Sequence, residues 1–172
     1  TYPGFTMSTQ MSPSGPCQVL RLKYLTTFET GDDNFYARVY NWSGSEPGNT
    51  LLYESEESAL EGWTEIDISS ENLFVDGDFV VGFGSVNETA AQGFDGGLNN
   101  GRSWDRDETN GTWSDWEEAY VIRAVVLYGD GSLAEIGSPQ EFLGYNLYRD
   151  NVKINTSLIT TTSTTDQVPT WG

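Results

Sequence analysis

Three carboxylates stand close together in Glu65-Ile66-Asp67-Ile68-Ser69-Ser70-Glu71. A pair of acids flanking a glycosidic bond suffices for hydrolysis, one as proton donor and one as nucleophile or base. Alternation along an extended segment places Glu65 and Asp67 on one face. Glu71 follows Asp67 only after three intervening residues, and Ser69 to Asn72 has the composition of a turn. The segment therefore reads as a half-exposed strand with Ile66 and Ile68 inward, not as a catalytic strand lining a cleft. Histidine is absent from all 172 residues. That removes Ser-His-Asp triads, Cys-His pairs and histidine metal sites. Cys17 is the sole cysteine, so neither an internal disulfide nor a thiolate zinc site can form. It is expected to be a small buried residue. The expectation is a protein with no catalytic residues, and a carboxylate glycoside hydrolase is the lesser alternative.

The densest group of polar side chains runs from Asp95 to Gly111. Within it, Asp105, Asp107 and Asn110 approach an oxygen-rich calcium loop, one residue too long for the EF-hand spacing. Arg102 and Arg106 can neutralise the same carboxylates. Calcium is thus the one cofactor the sequence raises. Asp32-Asp33 and Asp76-Gly77-Asp78 are further candidates, each equally readable as a turn. Six tryptophans are present. Trp63 lies in a strand pattern and is expected in the core. Trp42, Trp104, Trp113 and Trp116 fall at strand ends or in the Gly/Asn-rich segment. Trp104, Trp113 and Trp116, with Asn99, Asn100 and Asp95, form a candidate ligand-binding set: rings to stack on a sugar and polar groups for its hydroxyls. The plainer reading is that these rings cover the ends of a sandwich.

The elements that must position these groups are strands. Period-two alternation recurs at Val19–Phe28, Phe35–Trp42, Thr50–Glu54 and Trp63–Ile68. Phe79–Val86 is apolar enough for a central strand buried on both faces. Ala90–Phe94 is one more candidate, and Ala119–Tyr128 is a long closing strand. Turn signals punctuate them at Gly31–Asn34, Ser43–Asn49 and Val75–Asp78. Glu54–Glu61 allows one helical turn at most. The fold class is all-β, an antiparallel β-sandwich or jelly roll. Residues 1–130 form this module and 131–140 a Gly/Ser-rich linker. Residues 141–172 hold a partial β segment, with strands at Phe142–Tyr148 and from Val152, a turn at Asp150-Asn151 and a Thr-rich run after them.

Bulk chemistry narrows the partners. Against 26 acidic residues there are 8 basic ones, a formal net charge of −18. Such a surface repels phosphate backbones, so nucleic acid is excluded as a partner, and anionic membranes are disfavoured on the same ground. No apolar run approaches the roughly 20 residues of a membrane span. The first residues carry neither a basic start nor an apolar core and lack an initiator Met, so a mature or excised piece is expected. The lack of disulfides favours a bacterial exterior over a eukaryotic one. Four N-glycosylation sequons, at Asn41, Asn87, Asn110 and Asn155, are taken as chance in an Asn/Ser/Thr-rich chain.

Two stretches carry family resemblances. The series Pro16-Cys17 to Leu22, Phe35–Tyr40, Glu46–Tyr53, Gly62–Ile68, Val75–Phe83, Gly101–Trp104 and Tyr120–Val126 resembles accessory β-sandwich domains of secreted and cell-surface bacterial proteins. These often stand next to peptidase domains. Gly144–Asn155 with Thr164–Pro169 resembles the middle strands of fibronectin-type-III-like repeats, without their opening and closing strands. Glu65-x-Asp67 with Glu71 resembles the acidic signature of jelly-roll glucanases, with the last spacing broken. The resemblances imply an extracellular, multidomain setting and no defined ligand. The expected function is a binding or spacer module of a secreted bacterial surface protein, recognising a glycan or another protein within a larger chain. The alternative is a structural subunit that self-associates by adding strands between chains.

Overall fold

The computed structural model describes residues 4–28, 33–86, 90–95, 101–137, 148–149 and 152–153. The chain divides into two compact units, Thr1–Ser138 and Pro139–Gly172.

The first unit is built from two antiparallel sheets packed face to face. The first sheet runs, in spatial order, β11 (Thr112–Asp115), β10 (Ser103–Asp107), β1 (Phe5–Met11), β7 (Phe79–Ser85), β3 (Asn34–Trp42) and β4 (Pro47–Ser58). The second runs β14 (Leu133–Gly137), β13 (Ile122–Tyr128), β2 (Cys17–Phe28) and β5 (Gly62–Asp67), with β6 (Phe74–Val75) and β8 (Ala90–Gln92) also paired to β2. A two-stranded ribbon joins β9 (Phe94–Asp95) to β12 (Ala119–Tyr120). The chain changes sheet between β1 and β2, β2 and β3, β4 and β5, β6 and β7, and β7 and β8. The two sheets thus draw strands from the whole length of the unit, forming the antiparallel β-sandwich that the strand pattern called for. Among the described residues the only helical turn is a 3-10 turn at Ser69–Glu71, and none of their helices is long and apolar enough to cross a membrane.

The core lies between the sheets. Tyr24, Phe35 and Phe83 meet there, Phe35 and Phe83 stacked at 4.4 Å and Tyr24 edge-on to Phe35 at 5.2 Å. The Tyr24 hydroxyl would be an unpaired polar group in this setting, and it donates to the Gly82 carbonyl at 3.2 Å. Burial raises its pKa well above the ordinary phenol value. On β2 the inward set is Val19, Leu22, Tyr24 and Thr26. Strict alternation back from Leu22 would place Leu20 inward; Val19 takes that place because the register with β13 shifts between Val125 and Val126, a bulge that re-aims one residue.

Several sequence expectations change. Thr50–Glu54 extends to the twelve residues of β4, taking in part of the expected Ser43–Asn49 loop and the candidate helical turn at Glu54–Glu61. Its polar residues are tolerated because β4 is a sheet edge that follows β3 along its length. Phe5–Met11, which shows no strand pattern, is the central strand β1. The 131–140 linker begins instead as a strand: Leu133–Gly137 pairs with β13. Trp63 is 40% exposed on the outer face of the second sheet, not in the core. It shares parity with Glu65 and Asp67, opposite to the buried Ile66 and Ile68. In contrast, Phe79–Ser85 is buried along its whole length, as its composition suggested.

In the second unit, Tyr148–Arg149 (β15) pairs antiparallel with Val152–Lys153 (β16). The rest of the fibronectin-like stretch, including Phe142–Leu147 and Thr156–Pro169, lies outside the described residues.

Candidate functional site

The strand β7 has the core on one side, so its other side must also be covered. The register supplies the cover. On the outer face of the first sheet, Thr6, Gly84 and Tyr36 form one row, and Ser8, Gly82 and Arg38 the next. The floor of this face is therefore small: Thr6, Ser8, Gly82 and Gly84. A Cβ at Gly82 would sit 2.5 Å from Thr6 Cγ2, and one at Gly84 would sit 2.7 Å from Arg38 Nη1. Missing side chains make room for long ones to lie flat.

Those long side chains come from both flanks. Arg38 lies 13% exposed across the floor and is held at three points. Its Nε donates to Glu54 Oε2 at 2.7 Å, and its Nη1 donates to Thr6 Oγ1 at 2.7 Å and Glu108 Oε1 at 2.9 Å. Glu108 also accepts from Thr6 Oγ1 and pairs with Arg106. Arg106, from β10, stands over the ring of Tyr40, from β3, at 5.4 Å. Three strand spacings separate β10 from β3, about 14 Å of backbone, which only long side chains over a low floor can bridge. Tyr40 and Trp113 meet edge to face at 5.2 Å, and Trp42 and Trp104 at 5.9 Å. Trp113 Nε1 donates to Asn49 Oδ1 at 3.2 Å. Burial raises the pKa of Tyr40, with the nearby Arg38 charge opposing. Trp104 Nε1 and Arg106 Nε are buried donors with no acceptor among the described residues. The result is a polar-aromatic layer of half-buried rings, clamped guanidinium groups and carboxylates on one sheet face.

Across 144 aligned residues this chain is 32% identical to Bacillopeptidase F of Bacillus subtilis (strain 168). The alignment takes in 77% of this chain and 10% of that protein, so the chain spans about a tenth of the relative it matches. The likeness is to one segment of a larger bacterial protein named as a peptidase. No protein-family model and no solved structure matches the chain.

The sequence-derived ligand set is only partly gathered. Trp104 and Trp113 share the layer. Trp116 does not: it is 40% exposed and stacks on Tyr120 at 6.2 Å. Asp95 contributes backbone pairing to Ala119, while Asn99 and Asn100 lie outside the described residues. Arg38, Glu108, Tyr40 and Tyr36 were not singled out in the sequence, Arg106 was weighed only as a counter-charge to calcium ligands, and Trp42 only as a strand-end ring outside the ligand set. They come from distant strands, and only the sheet order brings them together.

The calcium candidates do not converge on one point. Asp105 Oδ1 accepts from the Tyr120 hydroxyl at 2.7 Å. Burial pushes its carboxyl above the ordinary carboxylate range, and that hydrogen bond pulls it partly back. Asp107 instead builds a turn, accepting from Thr109 N and Asn110 Nδ2, each at 2.8 Å, and these bonds lower its pKa. Asn110 Oδ1 accepts from Thr112 N and Oγ1. Asp78 accepts from Gln10, and Asp32 lies outside the described residues. Among the described residues no group of three or more His, Cys, Asp or Glu side chains is placed to hold a metal ion.

The three carboxylates of the hydrolase alternative are likewise engaged or apart. Glu65 pairs with Arg21 at 2.7 Å on the outer face of the second sheet, with Lys23 at 3.8 Å. Asp67 accepts from Ser69 N at 2.9 Å, and Glu71 ends the 3-10 turn. Cys17 is buried, as expected, and burial raises its thiol pKa.

Proposed function

We propose that this chain is a non-catalytic binding module of a secreted, multidomain bacterial protein, and that the outer face of its first sheet recognises a glycan. The polar-aromatic layer carries this reading. Half-buried Trp42, Trp104 and Trp113 offer ring surface to a sugar, while Arg38, Arg106, Glu54 and Asn49 offer donors and acceptors to its hydroxyls. The clamps on Arg38 fix these groups before a ligand arrives, which lowers the ordering cost of binding. The partial likeness to a much longer bacterial peptidase supports an accessory place in a larger chain. The non-catalytic half rests on Glu65, whose charge is answered by Arg21, and on Asp67, whose carboxylate is tied into a turn.

Strand addition between chains is supported less well. The long free edge, β4, carries Glu54, Glu56 and Glu57, and charge of one sign along an edge opposes pairing with another copy.

A glycan array, followed by calorimetry on the best ligand, tests the proposal. Trp113→Ala and Trp42→Ala are expected to weaken binding by about tenfold or more, the loss of one stacked ring. An unchanged binding profile in both variants would place the ligand elsewhere. Glycan hydrolysis by the wild type, lost in Glu65→Gln, would overturn the non-catalytic assignment.

A further inference from the structure

The second sheet carries a feature that the glycan reading leaves unused. At the end where β2 begins and β13 finishes, a groove of about 580 Å³ opens between Pro16, Phe74, Val75, Leu127 and Tyr128. The register explains its apolar character. Phe74 pairs with Gln18, Gln18 with Leu127, and Leu127 with Leu133, so these four side chains form one row across β6, β2, β13 and β14, of which the first three line the groove and Leu133 continues the row outside it. The two ends of the row stand in solvent: Phe74 is 70% exposed and Leu133 is 59% exposed. Phe74 is the most exposed of the large apolar side chains among the described residues. The Tyr128 hydroxyl is already engaged as acceptor for Ser14 N at 3.2 Å, so the groove offers few free polar groups. That lining suits apolar side chains far better than the hydroxyls of a sugar.

The rim is acidic. Asp76 lines the groove, and Asp130 sits between the lining residues Gly129 and Gly131. Hydrogen bonds from Ser132 hold Asp130 below the ordinary carboxylate range, so it is charged at neutral pH. Among the described residues no Lys or Arg lines the groove. A second copy of this chain would bring its own formal −18 and is repelled. A basic partner is drawn in.

We propose that this groove is a docking site for an extended, basic peptide segment of another protein or domain, bearing two large apolar residues four positions apart. The row from Phe74 to Leu133 spans three strand spacings, about 14 Å, and residues four apart on one face of an extended chain are about 13 Å apart. One apolar side chain would rest on Phe74 and the other on Leu133. Lysine or arginine residues between and beside them would face Asp76 and Asp130.

The test is calorimetry with a short synthetic peptide carrying Phe and Leu four positions apart among lysines. Two control peptides replace the lysines by glutamates, or Phe and Leu by serines. The lysine peptide is expected to bind at least about tenfold more tightly than either control. Binding should weaken as NaCl rises from about 0.05 to 0.5 M. Phe74→Ser and Leu133→Ser should each weaken it severalfold, and their exposure means the fold survives, which circular dichroism verifies. Trp113→Ala, on the opposite sheet, should leave it unchanged. Equal binding of the glutamate peptide, no detectable binding of the lysine peptide, or full binding by both Ser variants would each overturn the proposal.

Discussion

The hydroxyl of Tyr120 donates to Asp105 Oδ1 across 2.7 Å, tying the short strand β12 to β10. Tyr120 is 5% exposed, and its backbone is held as well: Thr9 Oγ1 donates to its carbonyl, and its N–H donates to Ser103 Oγ. Burial and the Asp105 charge raise the Tyr120 pKa far above the ordinary phenol value, so the proton stays on Tyr120. Tyr120→Phe removes the donor and leaves a half-buried carboxylate without it. The expected loss is about 1.5–3 kcal/mol in urea unfolding, the range for hydrogen bonds to charged groups. A change within error would mean that solvent replaces the phenol freely.

The same carboxylate sets a pH dependence of unusual sign. The folded-state pKa of Asp105 is raised by burial, so near that pKa the folded chain holds more protons than the unfolded one. Stability from this group therefore falls as pH rises through the raised value. Asp105→Asn should be more stable than wild type at pH 7, with the gain vanishing near pH 3, below the ordinary carboxylate pKa of about 3.9. Asp107 behaves oppositely, because Thr109 and Asn110 lower its pKa. Its contribution is present above the ordinary carboxylate value and is lost as pH falls through the lower native one. Asp107→Ala should thus destabilise at pH 7 and little at low pH. Urea midpoints measured at both pH values check the pair, and parallel behaviour of the two variants would contradict it.

Gly82→Ala should destabilise by about 1–3 kcal/mol, the range for overpacking a filled site. The new methyl meets Thr6 Cγ2, whose hydroxyl is fixed between Arg38 and Glu108, so Thr6 cannot turn away without loss. Gly15→Ala is the control, since a Cβ there meets nothing within 4 Å. Equal melting temperatures for the two variants would show that the floor has slack.

The formal charge of −18 makes the folded chain repel itself. Added NaCl screens that repulsion over the Debye length, about 10 Å at 0.1 M. The melting temperature should therefore rise with salt. A fall would show that ion pairs such as Arg38–Glu108 and Lys23–Glu135 outweigh the general repulsion.

Much of the architecture was legible because one face of a strand in a sandwich is buried. Alternation located β2, β3, β5 and the middle of β4, an unbroken apolar run located β7, and the expected closing strand Ala119–Tyr128 proved to be two, β12 and β13, in different sheets. Strand β1 escaped notice because its outward residues, Thr6 and Ser8, are small, polar and completely buried. They lie under the polar-aromatic layer, so no hydrophobic contrast marks them. Trp63 was misplaced for the reverse reason. Its size suggested core, while Lys23 at 5.5 Å and Arg123 at 4.8 Å from the ring accommodate it on the surface. The site was legible only as tryptophans. Arg38 and Glu108 are seventy residues apart, and neither residue's local sequence announces the pair.

The position of the two N-terminal strands has a consequence in time. β1 waits for β7 and β10, roughly seventy to a hundred residues downstream, and β2, although it meets β5 about forty residues on, waits about a hundred for β13. At about 5–20 residues per second, a ribosome needs on the order of 5–20 s to deliver the next hundred residues. Through that interval the emerging chain cannot close either sheet, and such non-local pairing is slow even afterwards. The chain is thus held open until β10 and β13 have emerged, and with Cys17 as its sole cysteine it has no internal disulfide to form afterwards.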